Sequence, residues 1–208
     1  MRMSTKALVQ KVLLVLFSAF LIWQSIELVS NIARRTNSTT LGEVATQSIL
    51  LNLFITGIFL VGYALPLNKL FPDSYYKSVE SQWFAVICNL LQIKLFRKVM
   101  RLTFWNPRNS KKHFFSGTRN GLAQFESNTR ISESSHTLAF ICCLAVSFYL
   151  GFVGNARLAI MAMLVNVIVN FYPAVLQRYH RLRLQTMLHK QTGKQNESNV
   201  GRLTRRPG

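Results

Sequence analysis

The chain is poor in acid. Only seven Asp and Glu oppose 25 Lys and Arg among 208 residues, for a formal net charge of +18. Cysteine is also scarce. Of the three, Cys142 and Cys143 are adjacent within an apolar run and Cys88 stands alone. An odd count without metal-ligand spacing excludes a disulfide framework and a zinc site, and leaves the cysteines as small packing residues. There is no Gly-x-Ser-x-Gly elbow, no phosphate-binding loop and no internal repeat. No charged residue stands deep inside the long apolar stretches, which argues against an ion- or proton-coupled transporter.

What is present is hydrophobicity, at 50% of residues, gathered into blocks with the charges between them. An apolar run of about 18 residues or more matches the hydrocarbon thickness of a bilayer and reads as a spanning helix. Four such blocks occur, near 7–29, 48–66, 136–153 and 158–176. The first follows Arg2, Lys6 and Lys11 like a secretory signal, but it is too long for a signal core and has no clean small-residue cleavage site. It therefore reads as an uncleaved helix. Pro66 is expected to end the second block, and Gly151, Gly154 and Asn155 to form a tight turn between the last two. The fold class is an all-α membrane protein, with residues 1–184 as a single embedded domain.

Between Trp83 and Leu102, Lys94, Arg97, Lys98 and Arg101 recur at helical spacing, while Phe84, Ile87, Leu91, Leu95 and Val99 fall mostly on another side. This predicts an amphipathic helix near 83–102 lying in the membrane interface, with a soluble or partner helix as the alternative. The stretch from Phe104 to Ser135, rich in Asn, Ser, Arg and Lys, reads as a loop, and 185–208 as a basic, disordered tail. The Asn37-Ser38-Thr39 sequon carries no weight.

Basic residues favour the cytoplasmic side. Arg97, Lys98, Arg101, Arg108, Lys111, Lys112, Arg119 and Arg130 lie between the second and third spans. Arg178, Arg181, Arg183, Lys190, Lys194, Arg202, Arg205 and Arg206 follow the fourth. Four spans with both termini cytoplasmic satisfy this, against the minor charge of Arg34 and Arg35. Anionic membrane lipids are the expected partners of so basic a surface. Nucleic acid is not, because no recognition-helix or stacking-aromatic pattern accompanies the charge.

A hairpin of the last two spans brings the start of one helix to the end of the other. Thr129, Arg130, Glu133 and His136 should then share a membrane face with Gln177, Arg178, Tyr179, His180, Arg181 and Arg183. Glu133 and His136, three apart, lie on one helix face. A carboxylate beside an imidazole orients it and raises its basicity, and arginines hold a phosphate or an oxyanion. The set suits acyl transfer to an alcohol. Arg, His and Tyr also serve as boundary anchors, and Glu133 can simply pair with Arg130, so anchoring stays open beside catalysis. A lone Glu-x-x-His is half of a carboxylate-bridged metal site, and the other half is missing, so no metal is expected. His113 lacks the Asp that accompanies histidine in soluble-faced glycerolipid acyltransferases, and His189 reads as solvated. Asn166 and Asn170, four apart inside the last span, are expected to bond a neighbouring helix rather than substrate.

Two stretches carry a family resemblance. The run Asn170-Phe171-Tyr172-Pro173-Ala174-Val175-Leu176-Gln177-Arg178-Tyr179-His180-Arg181-Leu182-Arg183-Leu184 resembles the end of the glycosyl-4,4'-diaponeurosporenoate acyltransferases. These typically close with an Asn-x-Pro stretch and Gln-Arg-Tyr-Asn-Arg-Pro-Arg after their last span. Thr129 to His136 is similar to their Thr-x-Arg-x-Glu-x-x-His element. The resemblance covers the chain from roughly Phe104 onward, and before that only in hydropathy. His180 stands where the family has Asn and Leu182 where it has Pro. One more residue separates Arg130 from Glu133, and Thr137 replaces a Trp after His136.

The resemblance implies an enzyme that esterifies a sugar hydroxyl of a glycosylated carotenoid acid with a fatty acyl group, the last step toward staphyloxanthin-type pigments, in the cell membrane. The departures extend the acceptor to related glycolipids. On this reading His136 is the base, Glu133 orients it, and Arg130, Gln177, Arg178, Tyr179, His180, Arg181 and Arg183 bind substrate. No bound cofactor is expected; acyl-CoA or acyl carrier protein is the co-substrate. The competing reading is a non-enzymatic membrane protein that binds anionic lipid or scaffolds a partner.

Overall fold

The computed structural model describes residues 4–34, 40–76, 82–103 and 119–183. Arg35, the Asn37 sequon, Arg108, Lys111, Lys112, His113 and the 185–208 tail with His189 lie outside the described residues. Every described element is helical, and four helices are long and apolar enough to cross a membrane: Thr5–Arg34, Leu41–Tyr63, Gln124–Phe152 and Ala156–Arg183. The chain divides into two compact units. One comprises Met1–Tyr76 and Arg130–Leu176, the other Lys77–Thr129 and Gln177–Gly208.

In the first unit, α1 (Thr5–Arg34) contains no Pro or Gly and would be about 45 Å long at 1.5 Å per residue, ample for a bilayer. Most of its apolar side chains point outward, with Leu16 61% and Ile26 60% exposed, as a lipid-facing helix requires. α2 (Leu41–Ile58) starts in a capping box: Thr40 Oγ1 accepts from the Glu43 amide, and Glu43 Oε2 accepts from the Thr40 amide. The signature Thr-x-x-Glu stands in the sequence and marks this start seven residues before 48. The two helices meet at Gly57, where a side chain would run into Leu21, and Ser18 Oγ donates to the Ile58 carbonyl at 2.9 Å.

The α-helix ends well before Pro66. It tightens into a 3-10 turn over Phe59–Tyr63, where Gly62 lets the chain pass close to Ser135. A Cβ on Gly62 would lie 2.6 Å from Ser135 Oγ. A second 3-10 turn (Leu67–Leu70) and the short α3 (Asp73–Tyr76) follow.

The largest departure from expectation is α6 (Arg119–Phe152), which begins deep in the stretch read as a loop. Its helical part, 119–135, is polar but has no proline, and several of its hydroxyl and amide groups bond within the helix. Ser134 Oγ donates to the Ile131 carbonyl at 2.9 Å, Thr129 Oγ1 to the Glu126 carbonyl at 2.7 Å, and Gln124 Nε2 to Asn128 Oδ1 at 3.1 Å. The turn to α7 (Ala156–Asn166) is the expected one. Gly154, at φ +90°, is left-handed. Asn155 N bonds the Leu150 carbonyl at 2.9 Å and Gly154 N the Gly151 carbonyl at 3.2 Å, the two bonds of a Schellman cap. Asn155 Nδ2 also reaches the Ile32 carbonyl, so the hairpin tip sits at the end of α1. After α7 the backbone makes a π turn (Val167–Phe171) and continues helical over 172–183. The core of this unit is Ile32, Val44, Leu51, Ile55, Leu150 and Leu158, with small Ala139, Cys143, Ala159 and Ala162 admitting close helix approach.

In the second unit the expected helix at 83–102 is two helices, α4 (Gln82–Leu90) and α5 (Ile93–Thr103). They part at Gln92, whose φ of 49° is left-handed and whose amide and side chain both donate to the Asn89 carbonyl. α5 is amphipathic as expected: Leu95, Val99 and Leu102 form an exposed apolar edge beside Lys94 and Lys98. Cys88 is buried, and burial pushes its thiol pKa up, as for a packing residue.

Candidate active site

A membrane-embedded bundle has no water in its interior to satisfy polar side chains, so buried ones must find partners in the protein. The first unit buries Ser48, Asn52, Asn166 and Asn170 completely. Asn52 Nδ2 donates to the Ser48 carbonyl at 2.9 Å and, across to α7, to the Ala162 carbonyl at 3.1 Å. Asn166 Nδ2 donates to the Phe140 carbonyl of α6 at 3.0 Å. Asn170, carried by the π turn, donates through Nδ2 to Asn166 Oδ1 at 2.9 Å. Its Oδ1 accepts from Thr56 Oγ1 of α2 at 2.9 Å and lies 3.3 Å from Nδ1 of His136 on α6. π turns recur at functional positions, and this one delivers the amide that holds the imidazole.

Asn166 and Asn170 thus bond neighbouring helices, as expected of them. Sequence reasoning did not foresee that Asn170 also holds His136. The signal was topological. A hairpin that turns at 151–155 pairs positions equidistant from the turn, and 136 and 170 are such a pair.

The other expected site residues fall into both units. Glu133 lies one turn before His136 on α6 and is buried to 2% exposure. Arg130 Nη1 pairs with Asp73 Oδ1 at 3.1 Å, and its guanidinium carbon stands 5.2 Å over the Tyr76 ring. Tyr75, the neighbour of Tyr76, has its hydroxyl 3.4 Å from Thr137 Oγ1. These contacts tie α3 to α6. In the second unit, Gln177, Arg178, Tyr179 and His180 are half-buried, Arg181 is buried and Arg183 exposed along 172–183. The Arg97 guanidinium lies 5.9 Å over the Tyr179 ring, whose edge meets His180. Among the described residues, no three His, Cys, Asp or Glu converge as a metal site would need.

Four apolar spanning helices stitched by a buried polar seam define a multi-span membrane protein. The family model described as glycosyl-4,4'-diaponeurosporenoate acyltransferase matches residues 72–190, more than half of the chain, and the protein belongs to this family. No curated protein and no solved structure matches the chain significantly. The matched stretch contains Arg130, Glu133, His136, Asn166, Asn170 and the 177–183 run, while Thr56 lies before it. Membership supports an acyltransferase role in carotenoid biosynthesis.

Proposed function

We propose that the protein esterifies a sugar hydroxyl of a glycosylated carotenoid, or a related glycolipid, with a fatty acyl group at the cytoplasmic face of the cell membrane. The observation that carries this reading is His136, held by Asn170 at one ring nitrogen within the family's matched stretch. The other ring nitrogen takes the proton of the sugar hydroxyl as its oxygen attacks the acyl carbonyl carbon of a thioester donor, acyl-CoA or acyl carrier protein. The tetrahedral intermediate collapses by breaking the carbon–sulfur bond. The departing thiolate takes up the proton from the imidazolium. Glu133 favours that imidazolium, and the cationic Arg178 and Arg181 of the second unit suit a phosphate-bearing donor. The exposed leucines and lysines of α5 suit an anionic membrane surface, which keeps the lipid that bears the acceptor close.

The same face of α5 supports the second reading, a lipid-binding protein without catalysis. Lipid and pigment extracts from cells with and without the protein, compared by mass spectrometry, decide between them. A fatty acyl mass on a glycosylated carotenoid that depends on the protein supports transfer, and an unchanged profile supports the second reading.

A further inference from the structure

A backbone carbonyl three side chains away determines which nitrogen of His136 is available. The Phe140 carbonyl can only accept, so the amide group of Asn166 that faces it is NH2. Asn166 therefore presents its oxygen to Asn170. An oxygen also only accepts, so Asn170 presents Nδ2 and turns its own Oδ1 toward Thr56 and His136. That oxygen cannot donate, so its 3.3 Å contact with Nδ1 of the imidazole is a hydrogen bond only when Nδ1 carries the proton. Both asparagines are fully buried, so water does not substitute for a missing partner. Turning either amide over would set oxygen against oxygen.

We infer that Asn166 and Asn170 are positioning residues that hold the proton of neutral His136 on Nδ1 and so leave Nε2 as the basic nitrogen. The inference deepens the proposed role of His136 and rests on it only for its consequence in catalysis. In water the neutral ring favours its proton on Nε2, the arrangement in which that nitrogen cannot act as a base. The chain of amides reverses this preference before substrate arrives. Thr56 donates a second hydrogen bond to the same oxygen.

Nitrogen NMR of the full-length protein in lipid nanodiscs, labelled with 15N-histidine, reads the tautomer directly. The spectrum is taken at about pH 8.5, above the ordinary histidine range. His136→Gln assigns the signal by its loss. The wild-type ring is expected to carry its proton on Nδ1. Asn170→Leu should return it to Nε2, and Asn166→Leu, which frees the Asn170 amide to turn, should give a mixture. In the acyl-transfer assay Asn170→Leu should lower kcat by roughly 10²-fold, the lower range for general base catalysis, with the acceptor KM within about twofold of wild type. A wild-type proton on Nε2, or an Asn170→Leu ring still protonated on Nδ1, overturns the inference. The wild-type spectrum alone decides if the variants do not fold. A wild-type tautomer as expected together with full activity in His136→Gln would instead reject the proposed base and leave the positioning intact.

Discussion

Nδ1 of His136 and Oδ1 of Asn170 lie 3.3 Å apart although 34 positions separate them in the chain. The distance is a product of the hairpin. Its turn at Gly154 sets the register in which α6 and α7 face each other, and that register delivers Asn166 to the Phe140 carbonyl and Asn170 to the imidazole. Conditions on the turn are therefore conditions on the site.

Gly154 is the first test of that dependence. Its φ of +90° is a conformation that L side chains rarely adopt, and a Cβ there would meet open space. Gly154→Ala should thus destabilise through backbone strain alone, by about 1–2 kcal/mol. Thermal unfolding in detergent checks it. Stability equal to wild type would show that the turn does not need a left-handed residue.

Two glycines on the α2 side should differ. At Gly57 an added methyl meets the end of the Leu21 side chain, which can swing aside. At Gly62 it meets Ser135 Oγ at 2.6 Å, with Leu67 and Ile131 side chains behind at 3.4 and 3.5 Å. Gly62→Ala should cost about 1–3 kcal/mol, as overpacking does, and Gly57→Ala less. Unfolding midpoints of the two variants measured side by side test the order. Equal midpoints would contradict the packing described for Gly62.

Four spans would return the chain to the side on which it began, and from the basic segments we propose that this side is the cytoplasm. Reporters fused to the two ends, each active only in the cytoplasm, should both be active. A reporter that is silent at one end would remove either one span or the assigned orientation.

The spans were legible because lipid imposes a simple code: long apolar blocks, with most of the charge between them. The hairpin turn was legible too, since glycine and asparagine sit where a left-handed residue is required. The first half of α6 was not. Composition of the 119–135 stretch suggests a loop, yet it is helical, with the hydroxyls of Thr129 and Ser134 bonded to carbonyls of their own helix. The break at Gln92 left no mark in the sequence, because nothing in Leu91-Gln92 is a helix breaker. In the candidate site, His136 stood out by residue type, whereas its hydrogen-bond partner Asn170 did not. Asn170 reads as one more polar residue inside a span until the pairing of α6 and α7 is known. Arg130, whose charge suggested substrate, also pairs with Asp73 and lies over the Tyr76 ring, contacts that the sequence did not show.

The account turns on His136, and one measurement tests it most directly. Purified wild-type protein and His136→Ala, shown to unfold at similar temperatures, are incubated with a fatty acyl thioester and a glycosylated carotenoid acid, and the product is weighed by mass spectrometry. The account predicts an acyl ester in the wild-type reaction and its reduction by roughly 10²- to 10⁴-fold in the variant, the span over which a positioned general base acts. An ester formed at the wild-type rate by His136→Ala would contradict it.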